Sequence, residues 1–90
     1  MSGAISLSVL TPDGGTLAVA CDAVTLPALD GSIGIMNGHA HMVAALKAGT
    51  GYYTIEGVKH DFTVRPGLAE VIDDTVIIVM DAAMAARDRP

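Results

Sequence analysis

Two histidines separated by one residue, His39 and His41, are the side chains of this sequence with the most evident capacity for chemistry. On a β-strand, where side chains alternate, both would point to one face and could ligate a metal ion. A third ligand would have to come from Cys21, Asp30 or His60, none of which is close in sequence. Because two histidines without a third ligand rarely hold a metal, the sequence predicts no metal site. We interpret His39 as orienting a loop or forming an interface hydrogen bond, with a buried core histidine as the alternative, and His41 as a surface residue.

The remaining polar groups do not form a catalytic set. Gly31, Gly34 and Gly38 lack the following helix and the Lys-Ser/Thr pair of a phosphate-binding loop, so we interpret them as turn formers. Asp73 and Asp74 are consecutive residues of a predicted hairpin turn, where both carboxylates would be solvated. No nucleophile is placed beside a base. The residues therefore indicate no catalytic, cofactor or small-molecule site, and we interpret this region as a shaped loop on a β scaffold that a partner contacts.

Composition narrows the class of partner. The chain has 90 residues, enough for one small domain, and a formal net charge of -5. Its five Lys and Arg residues are scattered, so no basic face for nucleic acid or anionic lipid is expected. No apolar run approaches the roughly 20 residues that span a bilayer, and the N-terminus lacks the basic region of a signal peptide, which predicts no direct membrane insertion. Cys21 is the single cysteine, which excludes an internal disulfide. Hydrophobic residues make up 51% of the chain, which favours apolar surface reserved for a protein partner.

The elements that must position these residues are short strands. Apolar residues alternate with polar ones, and turn residues recur at intervals of about 8–12 residues, which is typical of a β-sandwich or barrel. We predict that the third strand stops at Pro27, that a very short strand lies between two glycine-marked turns at Gly31 and Gly34, and that residues 58–64 have one face in the core. The predicted strands are 5–9, 16–20, 23–26, 32–33, a segment before Gly49, 51–55, 58–64, 68–72 and 75–80.

These patterns predict an all-β fold, a small two-sheet β-sandwich of short strands with at most one short C-terminal helical turn. Residues 1–81 would form the sandwich domain. Residues 82–90 would form a short tail, in which Ala82–Arg87 is the only helix-prone segment and too short to be stable alone. Tyr52 and Tyr53 should point to opposite faces, one into the core and one outward.

A string of motifs in this order resembles the epsilon subunit of the bacterial F-type ATP synthase, the equivalent of the mitochondrial delta subunit. The resemblance covers nearly the whole chain, and no single motif carries it. The motifs are Leu7-Ser8-Val9-Leu10-Thr11-Pro12-Asp13-Gly14, Val24-Thr25-Leu26-Pro27, Gly31-Ser32-Ile33-Gly34-Ile35, Gly38-His39-Ala40, Ala45-Leu46-Lys47-x-Gly49 and Val79-Met80-Asp81-Ala82-Ala83.

The resemblance implies a non-catalytic subunit of the central stalk, the rotor of the synthase. Such a subunit packs against the gamma subunit, stands on the c-ring and couples ring rotation to the stalk during ATP synthesis, at the cytoplasmic face of the bacterial inner membrane. Members of the family commonly continue into a C-terminal helical hairpin that can inhibit ATP hydrolysis. Because this sequence ends at Pro90, where the hairpin would start, we do not expect that inhibitory role here.

The resemblance also implies which residues contact the partners. Asn37 and His41 stand where the family usually has proline, and Ser32 stands where some relatives carry an acidic residue that meets the ring, a role that Asp30 could take over here. The expected partner-binding residues are Asp30, Gly31, Ser32, Asn37, Gly38, His39 and His41.

Two other functions stay open at this point. One is a free-standing β-sandwich adaptor that kept the scaffold and changed its partners. The other is a small metal-dependent binding protein or enzyme that uses His39 and His41.

Overall fold

The computed structural model describes residues 4–11, 14, 16–36 and 41–80. This part of the chain contains nine strands. No helix within it is long and apolar enough to cross a membrane. The strands are β1 (Ile5–Leu10), β2 (Thr16–Cys21), β3 (Ala23–Ala28), β4 (Gly31–Met36), β5 (Met42–Leu46), β6 (Gly49–Ile55), β7 (Val58–Val64), β8 (Gly67–Ile72) and β9 (Thr75–Met80).

The strands form one continuous hydrogen-bonded sheet that folds over into two layers. One layer has the order β2-β1-β9-β8-β5 and the other the order β4-β3-β6-β7. The layers are joined where Ala28 of β3 pairs with Leu46 of β5. All pairings are antiparallel except that of β1 with β9. The all-β sandwich predicted from the sequence is confirmed, whereas the helical turn and the tail expected at 82–90 lie outside the described residues.

The core lies between the layers and is entirely apolar among the described residues. In β1 and β8, every second side chain is buried, as expected for strands with one face on the core. Cys21 is buried in this core. The largest fully buried side chains come from both layers and are Ile5, Leu7, Leu26, Ile35, Leu46 and Ile78.

The prediction that β3 stops at Pro27 is wrong, because β3 continues to Ala28. Pairing with β6 ends at Thr25, and pairing with β5 occurs at Ala28. Pro27 therefore lies between two ladders, where a missing N–H interrupts neither of them. Its carbonyl oxygen still accepts a 3.0 Å hydrogen bond from the Lys47 amide.

The prediction that Gly31 and Gly34 mark two turns around a very short strand is also wrong. Both glycines belong to β4, which runs for six residues and pairs with β3 along its whole length. The reversal takes place one step earlier, at Leu29 and Asp30. Only Gly31 needs the freedom of glycine, because its φ is +122°.

The prediction of an inward face along residues 58–64 holds only at the end of β7. Val64 is buried and Phe62 is half-buried, but His60 is exposed and Val58 is 57% exposed. β7 is the edge strand of its layer, and along it the alternation of side chains continues while burial stops. The hairpin turn at Asp73 and Asp74 is confirmed, with φ values of 46° and 64° that match a tight type I′ turn.

Candidate partner-binding surface

The loop from Asp30 to Ser32 is an exposed corner at the β3–β4 turn. Gly31 pairs with Ala28 at the first step of the hairpin, so the turn is two residues long. The Leu29 amide donates a 3.1 Å hydrogen bond to the Ala45 carbonyl oxygen, which fixes the corner against β5. Asp30 and Ser32 are exposed, and Leu29 is 66% exposed. The corner can therefore present a carboxylate, a hydroxyl and an apolar side chain to a partner.

His41 precedes β5 and lies beside the β8–β9 turn. Its Nε2 atom is 3.7 Å from Oδ1 of Asp73, and both side chains are largely exposed, at 68% and 90%. An exposed pair of this kind adds little to stability because water screens it. Sequence reasoning missed this pair, because nothing along the chain shows that the β8–β9 turn meets the start of β5. Asn37, Gly38 and His39 lie outside the described residues.

The two described parts of the expected contact surface lie at opposite ends of β5. At the Asp30 corner, the Leu29 amide donates a hydrogen bond to the Ala45 carbonyl oxygen, next to the pairing of Leu46 with Ala28. His41 adjoins Met42, which pairs with Val71 at the other end of the strand. At a rise of about 3.3 Å per residue, β5 separates them by roughly 13 Å. The structure therefore extends this surface along an edge of the molecule and does not gather it into one pocket.

An apolar groove of about 660 Å³ opens next to the Asp30 corner. Its exposed walls include Leu29, Leu68 at 54% exposure and Val79 at 45% exposure. Among the described residues, its lining offers only Lys47 as a charged group. Such a groove can bury an apolar side chain of a protein partner but presents no set of polar groups for catalysis. Its lining residues are Leu29, Ala45, Leu46, Lys47, Ala48, Pro66, Gly67, Leu68, Val79 and Met80.

The β6–β7 hairpin carries the aromatic residues of the chain. The rings of Tyr53 and His60 stack with their centroids 5.0 Å apart, and Phe62 lies 6.1 Å from Tyr53. On the other face, the Lys59 ammonium lies 4.2 Å from the centroid of the Tyr52 ring. Tyr53 packs against the core and Tyr52 does not, so the prediction that the two tyrosines point to opposite faces is confirmed.

Metal-ligating and nucleophilic groups are dispersed. Within residues 4–11, 14, 16–36 and 41–80, no three His, Cys, Asp or Glu side chains are close enough to hold a metal ion. Burial, together with the nearby Asp22 carboxylate, raises the pKa of the Cys21 thiol, so this thiol is protonated near neutral pH and is a poor nucleophile. Cys21 therefore acts as an apolar core residue.

A two-layer β domain with an apolar groove and exposed loop corners has the features of a protein-interaction domain. Its family is shown by sequence comparison. The family model for the β-sandwich domain of the ATP synthase delta/epsilon chain matches residues 4–86, and the chain belongs to that family.

Relatives with known names support the assignment. The chain is 40% identical over 83 residues to an ATP synthase epsilon chain of Symbiobacterium thermophilum, covering 91% of this chain and 60% of the relative. It is 33% identical over 88 residues to an ATP synthase epsilon chain of Nitratidesulfovibrio vulgaris Hildenborough, covering 98% of this chain and 66% of the relative. The chain thus spans 60–66% of the length of these two relatives.

Two solved structures share the fold. A chain of the Euglena gracilis mitochondrial ATP synthase structure that includes OSCP, F1 and the c-ring superposes with a TM-score of 0.77 at 23% identity, covering 97% of this chain and 62% of that one. A chain from the central stalk and c-ring structure of the Tetrahymena thermophila mitochondrial ATP synthase gives 0.69 at 19% identity, covering 89% and 66%. At these identities, the likeness concerns the fold.

Proposed function

We propose that this chain is a non-catalytic subunit of the central stalk of a bacterial F-type ATP synthase, which couples c-ring rotation to the gamma subunit. The observation that carries the proposal is the family match over residues 4–86. It is supported by the names of the relatives and by a fold shared with chains of two ATP synthase structures. The chain would act at the cytoplasmic face of the inner membrane as a peripheral part of the complex.

The physical demand on such a subunit is stiffness between two contacts. Rotation is transmitted only if the body between ring and stalk does not shear. A close-packed apolar core shared by both layers resists shear, because side chains from the two layers interdigitate. The exposed corners and the apolar groove then supply the contacts to other proteins.

We assign the contacts to the two regions expected from the sequence. Asp30, Gly31 and Ser32 form the exposed β3–β4 corner, and His41 lies at the far end of β5. Asn37, Gly38 and His39, which also belong to the proposed surface, lie outside the described residues. Ser32 offers a neutral hydroxyl and Asp30 a negative charge, so Asp30 is the residue of this corner that can form a charged hydrogen bond with a ring loop.

The test is binding of the purified chain to the detergent-solubilised c-ring and to the gamma subunit of the same organism. Asp30→Lys should weaken ring binding by about tenfold, because it replaces a favourable charge at the contact with a repulsive one. Asp61→Lys is the matched control. It makes the same charge change at an exposed site on β7, at the opposite edge of the layer, and should change affinity less than about twofold.

Assembly with neither the ring nor gamma would contradict the proposal and leave the adaptor function as the better account. Stoichiometric metal in the purified chain, lost in His41→Ala, would instead support the metal-binding function. Equal effects of the two aspartate variants would show that the Asp30 corner is not the contact.

A further inference from the structure

A single residue, Asp22, connects the two layers on the side of the sandwich away from the β3–β5 junction. β2 ends at Cys21 and is the edge strand of its layer, and β3 begins at Ala23 in the other layer. Among the described residues, β2 and β7 end the path of paired strands and are not paired with each other. In that part of the chain, no pairing of strands therefore holds the layers together on this side.

Asp22 forms two hydrogen bonds to the β6–β7 hairpin, which belongs to the layer of β3. Its main-chain amide donates to the Thr54 carbonyl oxygen at 2.8 Å. Its carboxylate oxygen Oδ2 accepts a 2.7 Å hydrogen bond from the Glu56 amide, although the two residues are 34 positions apart in the chain. Because one residue both donates and accepts, the end of β2 is attached to the hairpin at two points.

The tip of the β6–β7 hairpin extends past the first residue of β3. Pairing of β6 with β3 ends where Thr54 lies opposite Ala23, so residues 55–58 have no place in the ladder with β3. Ile55 is half-buried and packs against the core, which holds one side of the tip. The hydrogen bond to Asp22 holds the turn itself, and it is the contact that reaches the end of β2 in the other layer.

The turn at this tip is strained at its first residue, which is an independent observation. Ile55 pairs with Val58, and the two residues between them have positive φ values, 50° at Glu56 and 81° at Gly57, as in a type I′ turn. Glycine adopts such angles without strain, whereas glutamate lacks the short side chain that lets asparagine and aspartate tolerate them. The hydrogen bond from Glu56 to Asp22 offsets this strain, because a charged acceptor forms a stronger bond than a neutral one.

We propose that Asp22 is a positioning residue, whose carboxylate clasps the Glu56–Gly57 turn to the end of β2 and fastens the open side of the sandwich. Without the carboxylate, the tip of the hairpin opens locally while the core stays folded. The clasp thereby keeps the hairpin that carries the stacked rings of Tyr53 and His60 against the core. It is a property of the domain itself and does not depend on which partners the chain binds.

Residue-resolved amide hydrogen exchange tests the clasp directly. Asp22→Ala removes the carboxylate, and the Glu56 amide should then exchange at least about tenfold faster than in the parent chain. The amides of Val58 and His60, which are paired with β6 near the tip, should exchange at least about threefold faster. The amide of Leu7, in the centre of the core, should change by less than about twofold, because the opening is local.

Two further variants separate the hydrogen bond from a general effect of the substitution. Asp22→Asn keeps an acceptor oxygen at the same place and should bring the Glu56 exchange rate back to within about threefold of the parent chain. Asp61→Ala removes an exposed carboxylate from the same hairpin and should leave that rate within about twofold. The clasp is overturned if Asp22→Ala leaves Glu56 unchanged, if Asp22→Asn exchanges as fast as Asp22→Ala, or if Leu7 accelerates as much as Glu56.

A substitution in the turn tests the strain from the other side. Glu56→Gly keeps the N–H group and removes the cost of a positive φ. Added to Asp22→Ala, it should slow the exchange of Val58 and His60 by at least about twofold, because a relaxed turn depends less on the clasp. If Val58 and His60 exchange as fast in the double variant as in Asp22→Ala alone, the carboxylate is not offsetting strain at Glu56 and the proposal fails.

Discussion

β8 and β4 are both six-residue strands with glycines, and they differ in what surrounds those glycines. β8 is paired on both sides, by β5 and β9, and a Cβ atom on its Gly67 would clash with the Val79 carbonyl oxygen and lie 2.9 Å from the Met80 Cα. β4 is paired on one side among the described residues, and Gly34 faces open space. Close packing against β9 explains why residue 67 is a glycine, whereas no contact among the described residues requires a glycine at position 34. The difference is that β8 is enclosed by neighbouring strands, whereas β4 is open on one side among the described residues.

The largest effect is expected when an isoleucine is truncated to alanine on β9, the strand paired with β8, and on β4. Ile78, in the centre of the layer, is fully buried, whereas Ile33 on β4 is only half-buried. Ile78→Ala should lower the free energy of unfolding by about 4 kcal/mol, and Ile33→Ala by about 1 kcal/mol, because the cavity left at the edge is open to water. Urea unfolding measures both. Equal losses would show that the edge is packed as tightly as the centre.

The glycines themselves provide the second comparison. Gly67→Ala should destabilise the domain by about 2 kcal/mol, because the added methyl group meets backbone atoms that cannot move without disturbing β9. Gly34→Ala should leave stability unchanged or raise it by about 0.5 kcal/mol, since it reduces the flexibility of the unfolded chain at no steric cost. A destabilising Gly34→Ala would mean that the chain itself fills the space beside β4.

The aromatic contacts of β7 sharpen the contrast between the two edges of one layer. Tyr53→Leu removes the ring stacked on His60 while keeping an apolar side chain on the core. It should cost about 1 kcal/mol, a typical value for an aromatic pair. Tyr52→Leu, which removes the ring under Lys59 on the other face, should cost about 0.5 kcal/mol. If neither change affects the unfolding midpoint, these contacts do not stabilise the β7 edge.

The smallest expected effect on stability is at the turn that connects β8 to β9. Asp74 has a φ of 64°, which glycine adopts without strain. Its carbonyl oxygen accepts a 2.9 Å hydrogen bond from the Ser6 amide, and this bond survives any side-chain change. Asp74→Gly should raise the melting temperature slightly, corresponding to about 0.5 kcal/mol. A lower melting temperature would show that the Asp74 side chain contributes more than the relief of backbone strain.

Much of the fold was predictable because most strands follow simple alternation. β1, β8 and β9 have apolar residues at every second position or in short β-branched runs, and turn residues bound them. Two of the misses are at Pro27 and Gly34, where residue preference argues for a break. Both residues remain in strands because of tertiary pairing: Pro27 lies between two ladders, and Gly34 is held by β3. Local propensity cannot show which partner a strand will find.

The candidate surface was predictable only in part. Asp30 and Ser32, which the resemblance selected, are exposed, whereas the chain gave no sign that His41 lies beside Asp73. The edge position of β4 was missed for a related reason. Whether a strand is central or at an edge depends on the order of strands in the layer, which the alternation of side chains does not encode.

The most direct test of the proposed function is the composition of the complex that contains the chain in its own cell. An affinity-tagged copy would be recovered from gently solubilised membranes, and the co-purified subunits would be quantified by mass spectrometry. The stalk function predicts one gamma subunit per tagged chain, together with c-ring subunits. Recovery of the tagged chain without gamma and ring subunits, from membranes that yield an intact synthase by another subunit, would contradict it.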